Sequence, residues 1–233
     1  MMMEVEYNGI PGSNFGVYAK NLPTIPPAVK KASSVEIAGR DGTLYLLDGG
    51  YESTEIKVDF NWIGKEEQWI DRWGQIQKWL SERNSHLSFG SDPSCFYKIM
   101  KVELDQAEHT TARIGNFSAS FLTENGLRYL VEGQNEHSIE NVGWNPYEIS
   151  CPVYKIYGEG KCDLVVNGNH MTANVGQNLV IDTERELAYR EDGTLSNTAI
   201  SGDYEELFLQ EGENSVTITE GFELKIIPNW RRL

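Results

Sequence analysis

The residues of this chain that could do chemistry are scattered rather than gathered. Four histidines, His86, His109, His137 and His170, lie far apart, and none forms HxxxH, HExxH or a Cys/His pair at zinc spacing. Cys95, Cys151 and Cys162 are odd in number and lack a CxxC step, so all three read as free thiols. There is no GxSxG elbow, no P-loop and no GxGxxG ahead of a helix, which leaves nucleophilic and nucleotide chemistry without support. With 35 acidic side chains, some carboxylate pair could be spaced for glycoside hydrolysis, but the sequence singles none out. The expectation is a protein that is not an enzyme and takes no cofactor and no metal.

One tetrad stands apart, Gly39-Arg40-Asp41-Gly42, set inside Val35 to Asp48 (VEIAGRDGTLYLLD) between two apolar runs. Asp-Gly between strand-like runs favours a chain reversal, because Gly has no Cβ to clash at positive φ and Asp tolerates the left-handed region. Read alone it is a hairpin turn, too short for an adhesion or phosphate-binding signature.

Whatever holds that turn must come from a chain of 233 residues, enough for two small domains. Hydrophobic residues make up 39% and charged residues 24%, the balance of a globular protein, and no apolar run is long enough to cross a bilayer. Met1 to Tyr7 lacks the basic start and apolar stretch of a secretory signal, so folding is expected in the compartment of synthesis. The net charge of −15, with a pI near 4.7, opposes non-specific attraction to nucleic acid or anionic lipid.

Ahead of the tetrad, turns at Asn8-Gly9 and Pro11-Gly12 separate short apolar runs, and Leu22 to Pro27 is too rich in proline for a helix or central strand. After it, Ile56, Val58, Phe60 and Trp62 alternate with Glu55, Lys57, Asp59 and Asn61, which predicts a strand with one buried face. A helix is predicted at about 66–83. Trp69, Trp73, Ile76 and Leu80 form its apolar stripe, Glu66, Glu67 and Arg83 complement its dipole, Asn84 stops it, and Gly74 is a mild weakness. Core packing explains these tryptophans better than a sugar or base platform, with Trp79 off the main stripe and free for an interface. Strands are predicted at Leu87 to Phe89, Phe96 to Leu104 and Phe117 to Phe121, with a break at Ser91-Asp92-Pro93.

A polar stretch from Leu127 to Asn145 marks a domain boundary near Gly133, dividing the chain into 1–132 and 133–233. Beyond it no helical period exists. Val153 to Tyr157, Cys162 to Val166, Asn178 to Asp182, Glu186 to Tyr189, Tyr204 to Leu209, Ser215 to Thr219 and Phe222 to Ile227 read as short strands. Turn signals such as Gly158-Glu159-Gly160 and Asn167-Gly168 separate them, the pattern of a β-sandwich. The fold class expected is mainly β, with one amphipathic helix in the first domain.

Taken in order, several segments resemble the distal tail proteins of long, non-contractile-tailed bacteriophages and prophages of Gram-positive bacteria. They are the proline-rich lead, EIAGRDG, Tyr51, IKVDFNW, the helix ending in QKWL, LSFGSDPSCFY, the stretch NVGWNPYEISCPVYKIYGEGKCDLVVNG, LVIDTERELAYREDG, LQEGENSV and ELKIIPNWRRL. The motifs are weak singly and specific in their order. The resemblance implies an N-terminal β domain (split-barrel or sandwich-like) with one helix, and a C-terminal galectin-like β-sandwich. It implies a homohexameric ring at the virion tail tip, single or stacked, made in the host cytoplasm and formed mainly by the N-terminal domain. Such a ring would join the tail tube protein to the tail-associated tip protein and, in many phages, to receptor-binding or baseplate proteins. DNA would pass through its channel without specific binding, past an acidic wall, and no membrane is involved.

The rival reading is a carbohydrate-binding, lectin-like β-sandwich. Galectins bind sugar through HxNPR and WGxE segments. Gly143-Trp144-Asn145-Pro146-Tyr147 and Pro228-Asn229-Trp230-Arg231 match neither, so that sugar site is not carried over. On the hub reading Gly39, Arg40, Asp41, Gly42 and Trp79 are the candidate oligomer-interface residues, with Arg40 and Asp41 at or near a subunit boundary.

Overall fold

The strict alternation of Glu55–Ile63 gives it one buried face, with Ile56, Val58, Phe60 and Trp62 at most 1% exposed. The computed structural model describes residues 3–39, 41–64, 68–82, 85–111 and 113–233, with the backbone alone for Leu47 and Asp48. Two units emerge, Met1–Arg128 together with Leu233, and Tyr129–Arg232, so the division falls ahead of Gly133.

In the first unit antiparallel strands run in the order Ile10–Pro11, Val5–Tyr7, Ser85–Phe89, Asp92–Leu104, Ile114–Thr123, Glu55–Ile63, Val17–Ala19. Glu108–Thr111 adds to Ile114–Thr123. The break expected at Ser91-Asp92-Pro93 is shorter than predicted, because Asp92 already pairs with Phe89 and the reversal is carried by Gly90 and Ser91.

The helix Trp69–Leu80 lies over this sheet's buried face. Trp69 and Trp73 pack on Trp62 with ring centroids 4.2 and 5.6 Å away, and Trp73 meets Phe117 edge-on at 5.3 Å. Room for this stack comes from Gly115, opposite Trp62, where a Cβ would fall 2.5 Å from the Trp69 ring. The helix has the bounds of its apolar stripe, with Ser81 and Glu82 beyond its end. The roles expected for Glu66, Glu67, Arg83 and Asn84 lie outside the described residues.

The second unit is built on one long hairpin, Val153–Val166 against Asn169–Asp182, paired at every position from Val153↔Asp182 to Val166↔Asn169. Val216–Ile218 and Glu223–Ile227 flank one strand of it, and Leu187–Tyr189 and Ile200–Ser201 the other, giving a six-stranded sheet. Trp144–Asn145 and Gly212–Glu213 form a separate two-stranded sheet. Tyr154, Ile156, Leu164, Met171, Ile181, Leu207 and Ile226 are fully buried. Tyr154 donates its hydroxyl to the Leu207 carbonyl at 2.7 Å, and burial pushes its ionisation far up.

Two sequence expectations fail here. Gly158-Glu159-Gly160 is not a turn but the middle of the long strand. Gly158 is needed because a Cβ there would sit 2.4 Å from the Phe222 ring. Tyr204 to Leu209 is not a strand either, since Tyr204–Leu207 forms a 3-10 turn with Leu207 buried. Both units are therefore mainly β, and among the described residues no helix is long and apolar enough to cross a membrane.

Candidate assembly surface

Lys30–Glu36 and Thr43–Tyr51 pair only with each other, in a two-stranded ribbon outside the main sheet. The register runs Ala32↔Leu47, Ser33↔Leu46, Ser34↔Tyr45, Val35↔Leu44 and Glu36↔Thr43, with an irregularity between Lys30 and Ala32. The reversal expected at Asp41-Gly42 exists but is wider than a two-residue turn, spanning residues 37–42. Gly39 and Gly42 each hold φ 83° with open space around the missing Cβ, so left-handed backbone and not crowding calls for glycine. Arg40 lies outside the described residues, and Asp41 is exposed.

The root of the ribbon is fixed. Tyr51 is 8% exposed beneath the Lys30 ammonium, 5.8 Å from its ring, and Glu52 N–H donates to the Val29 carbonyl at 2.8 Å. Beside it the buried Thr123 hydroxyl accepts from Thr54 N–H at 3.1 Å and from Gly126 N–H at 3.0 Å, and donates to the Thr54 carbonyl at 3.0 Å. Gly126, at φ 68°, has Thr54 Oγ1 and Ala28 Cα against the place of its missing Cβ.

Away from the root the described side chains of the ribbon are largely exposed. Every residue of Lys30–Glu36 is exposed, and Val35, Ile37, Tyr45 and Leu46 are 42%, 44%, 72% and 48% exposed. The apolar exposure continues into the proline-rich lead at Leu22, Ile25 and Val29. A lone two-stranded hairpin is marginal in water, and each of these side chains has on the order of 1 kcal/mol to gain from being covered.

Trp79, the other residue expected at an interface, is in the core. Only 4% exposed, it donates its indole N–H to the Tyr7 carbonyl at 3.2 Å, meets the Tyr7 ring edge-on at 6.4 Å and stacks on Phe15 at 5.2 Å. It belongs to the buried stripe with Ile76 and Leu80, while Trp69 and Trp73 are the half-covered members. No face of Trp79 remains for a neighbour.

The scattered chemical groups also have local partners. His86 and His109 lie against Phe96 and Trp69, His137 packs on Trp230, and His170 Nδ1 is 2.7 Å from Asp163. Burial and the nearby Lys98 hold the His86 ionisation below its ordinary value. Cys95, Cys151 and Cys162 are free and buried, and among the described residues no three His, Cys, Asp or Glu side chains gather as metal ligands.

No protein-family model and no curated protein matches the chain by sequence. By structure it is similar to the SPP1 Dit (gp 19.1) protein, described as a paradigm of the hub adsorption apparatus in phages infecting Gram-positive bacteria. The two superpose over 100% of this chain and 99% of the other, with a TM-score of 0.61 at 12% identity. The chain has the distal tail protein fold. That likeness takes in both units, so the order of segments read in the sequence corresponds to one continuous architecture and not to a shared module.

Proposed function

We propose that this chain is a structural protein of a phage or prophage tail, a hub that assembles with copies of itself at the tail tip and performs no catalysis. The observation that carries this reading is the ribbon, rooted at Tyr51 and Thr123 yet exposed along Lys30–Glu36, with Val35, Ile37, Tyr45 and Leu46 in water. An element of this kind is stabilised when a second chain covers it, and a head-to-tail contact of one patch on a different patch gives a ring when its rotation closes. The fold shared over the full length with a hub adsorption protein supports the same reading.

In its finer form the proposal is a homohexameric ring formed mainly by the first unit, single or stacked. It would link the tail tube to the tip and baseplate proteins and let DNA pass without specific binding. The Gly39 to Gly42 loop then lies at or near the boundary between subunits, whereas Trp79 acts only through the core.

Light scattering on the purified chain over a range of concentrations tests this. The native protein should assemble as concentration rises, whereas Tyr45→Asp combined with Leu46→Asp should stay monomeric, with a thermal midpoint matching that of the native chain at concentrations too low for assembly. A double variant that assembles like the native chain would refute the role of the ribbon.

A further inference from the structure

The second unit carries an open depression of about 700 Å3 that the hub reading does not use, formed between the short Trp144–Asn145/Gly212–Glu213 pair and the tip of the long hairpin at Asn167. Trp144 stands in it 60% exposed, directly across from Glu213, and among the described residues no other ring or cation stacks on it. Its backbone is nevertheless held firmly. The next residue, Asn145, is fully buried, donates to the Glu148 carbonyl at 3.1 Å and accepts from Tyr147 N–H at 3.1 Å.

The wall is equally set. Asn214 accepts from Asn167 Nδ2 at 2.9 Å and from Gln210 N–H at 2.8 Å, and donates to the Gln210 and Gly212 carbonyls at 2.9 and 3.1 Å. Asn167 in turn accepts from Ser215 N–H at 2.8 Å. These amides are consumed in shaping the loop. The Glu213 carboxylate and the Ser215 hydroxyl make no hydrogen bond among the described residues, and Gln210 Nε2 reaches only the Phe208 carbonyl, at 3.5 Å.

A flat apolar ring on a hydrogen-bonded backbone, beside an acceptor carboxylate, a hydroxyl and an amide, is what the surface of a pyranose calls for. Its C–H face stacks on the indole while adjacent hydroxyls donate to the carboxylate and exchange bonds with the amide. Charge narrows the class. Tyr129–Arg232 holds eighteen Asp and Glu against seven Lys and Arg, a net of −11, which repels phosphate- and sulfate-bearing polymers. We infer that the Trp144 depression is a binding site for neutral pyranose glycans, assembled from residues other than those of the galectin signature. The site is independent of self-assembly, although several copies in one ring would turn weak single contacts into avid ones.

Saturation-transfer NMR on the full-length chain tests this with two probe sets: neutral oligosaccharides of glucose, galactose and N-acetylhexosamine, and sulfated counterparts. At least one neutral probe should show transfer at about 10 mM or less, the range of a weak single-site contact. Transfer should be lost in Trp144→Ala and reduced in Ser215→Ala, with circular dichroism unchanged. No transfer from any neutral probe, equal transfer from the sulfated set, or a signal that survives Trp144→Ala would each overturn the site. None of these outcomes bears on whether the chain assembles.

Discussion

Trp79 and Trp144 show how burial, more than residue type, assigns a tryptophan its work. Trp79 has its N–H bonded and its ring enclosed, while Trp144 is left in water on a rigid strand. Helical spacing places Trp69, Trp73, Ile76 and Leu80 on one face, but the buried residues of the helix are Ile76, Trp79 and Leu80. The stripe is tilted because Trp69 and Trp73 ride on the ring of Trp62, a contact no periodicity displays. Titration gives another residue-scale test. Tyr157 donates to Glu191 at 2.6 Å, and this bond first, with burial and the neighbouring carboxylates behind it, raises its ionisation from 10.0 to about 12. A raised folded value means that the stabilisation is complete below pH 10.0 and is lost as pH climbs through about 12. In Glu191→Ala the Tyr157 ring, followed by NMR, should titrate closer to 10.0 than in the native chain. An unmoved midpoint would contradict the assignment of that bond as the main cause.

Among the elements, Glu55–Ile63 is plain from sequence because one buried face enforces a period of two, and the paired register with Ile114–Thr123 follows from the same alternation. The ribbon is harder to read. Its apolar and polar residues also suggest a strand pair, and composition does not say that Val35, Tyr45 and Leu46 face water. The first half of the Asn169–Asp182 strand is missed for the opposite reason. Asn169, His170, Thr172 and Asn174 face outward between the small or thin buried residues Met171, Ala173 and Val175, so the alternation carries little hydrophobic contrast. Glycines misdirect at Gly158 and Gly160, where they mark close approach and unusual backbone within a strand. The ribbon's physical position yields its own prediction. In dilute solution its amides in Lys30–Glu36 should exchange with deuterium far faster than those of Glu55–Ile63, and at assembling concentration they should become protected. Equal protection at both concentrations would mean that nothing covers the ribbon on assembly.

At the scale of the whole molecule, charge is divided unevenly. Met1–Arg128 has seventeen acidic and thirteen basic residues, a net of −4, against −11 for Tyr129–Arg232, so most of the chain's −15 is not in the unit proposed to form the ring. An acidic channel wall built by the first unit would therefore depend on how its few excess carboxylates are placed. Copies of a chain this acidic repel each other over roughly 10 Å at 0.1 M salt. Because the ribbon offers mainly apolar contacts, added sodium chloride should strengthen self-association, and dissociation on adding salt would instead indicate ion pairs as the main adhesive. The proposed ring-forming tail hub is held together through its ribbon. Negative-stain electron microscopy of the purified protein decides the matter: closed six-fold rings, absent from the Tyr45→Asp, Leu46→Asp variant, are the expected result, and fields of single particles at assembling concentration, or rings formed equally well by the variant, would contradict it.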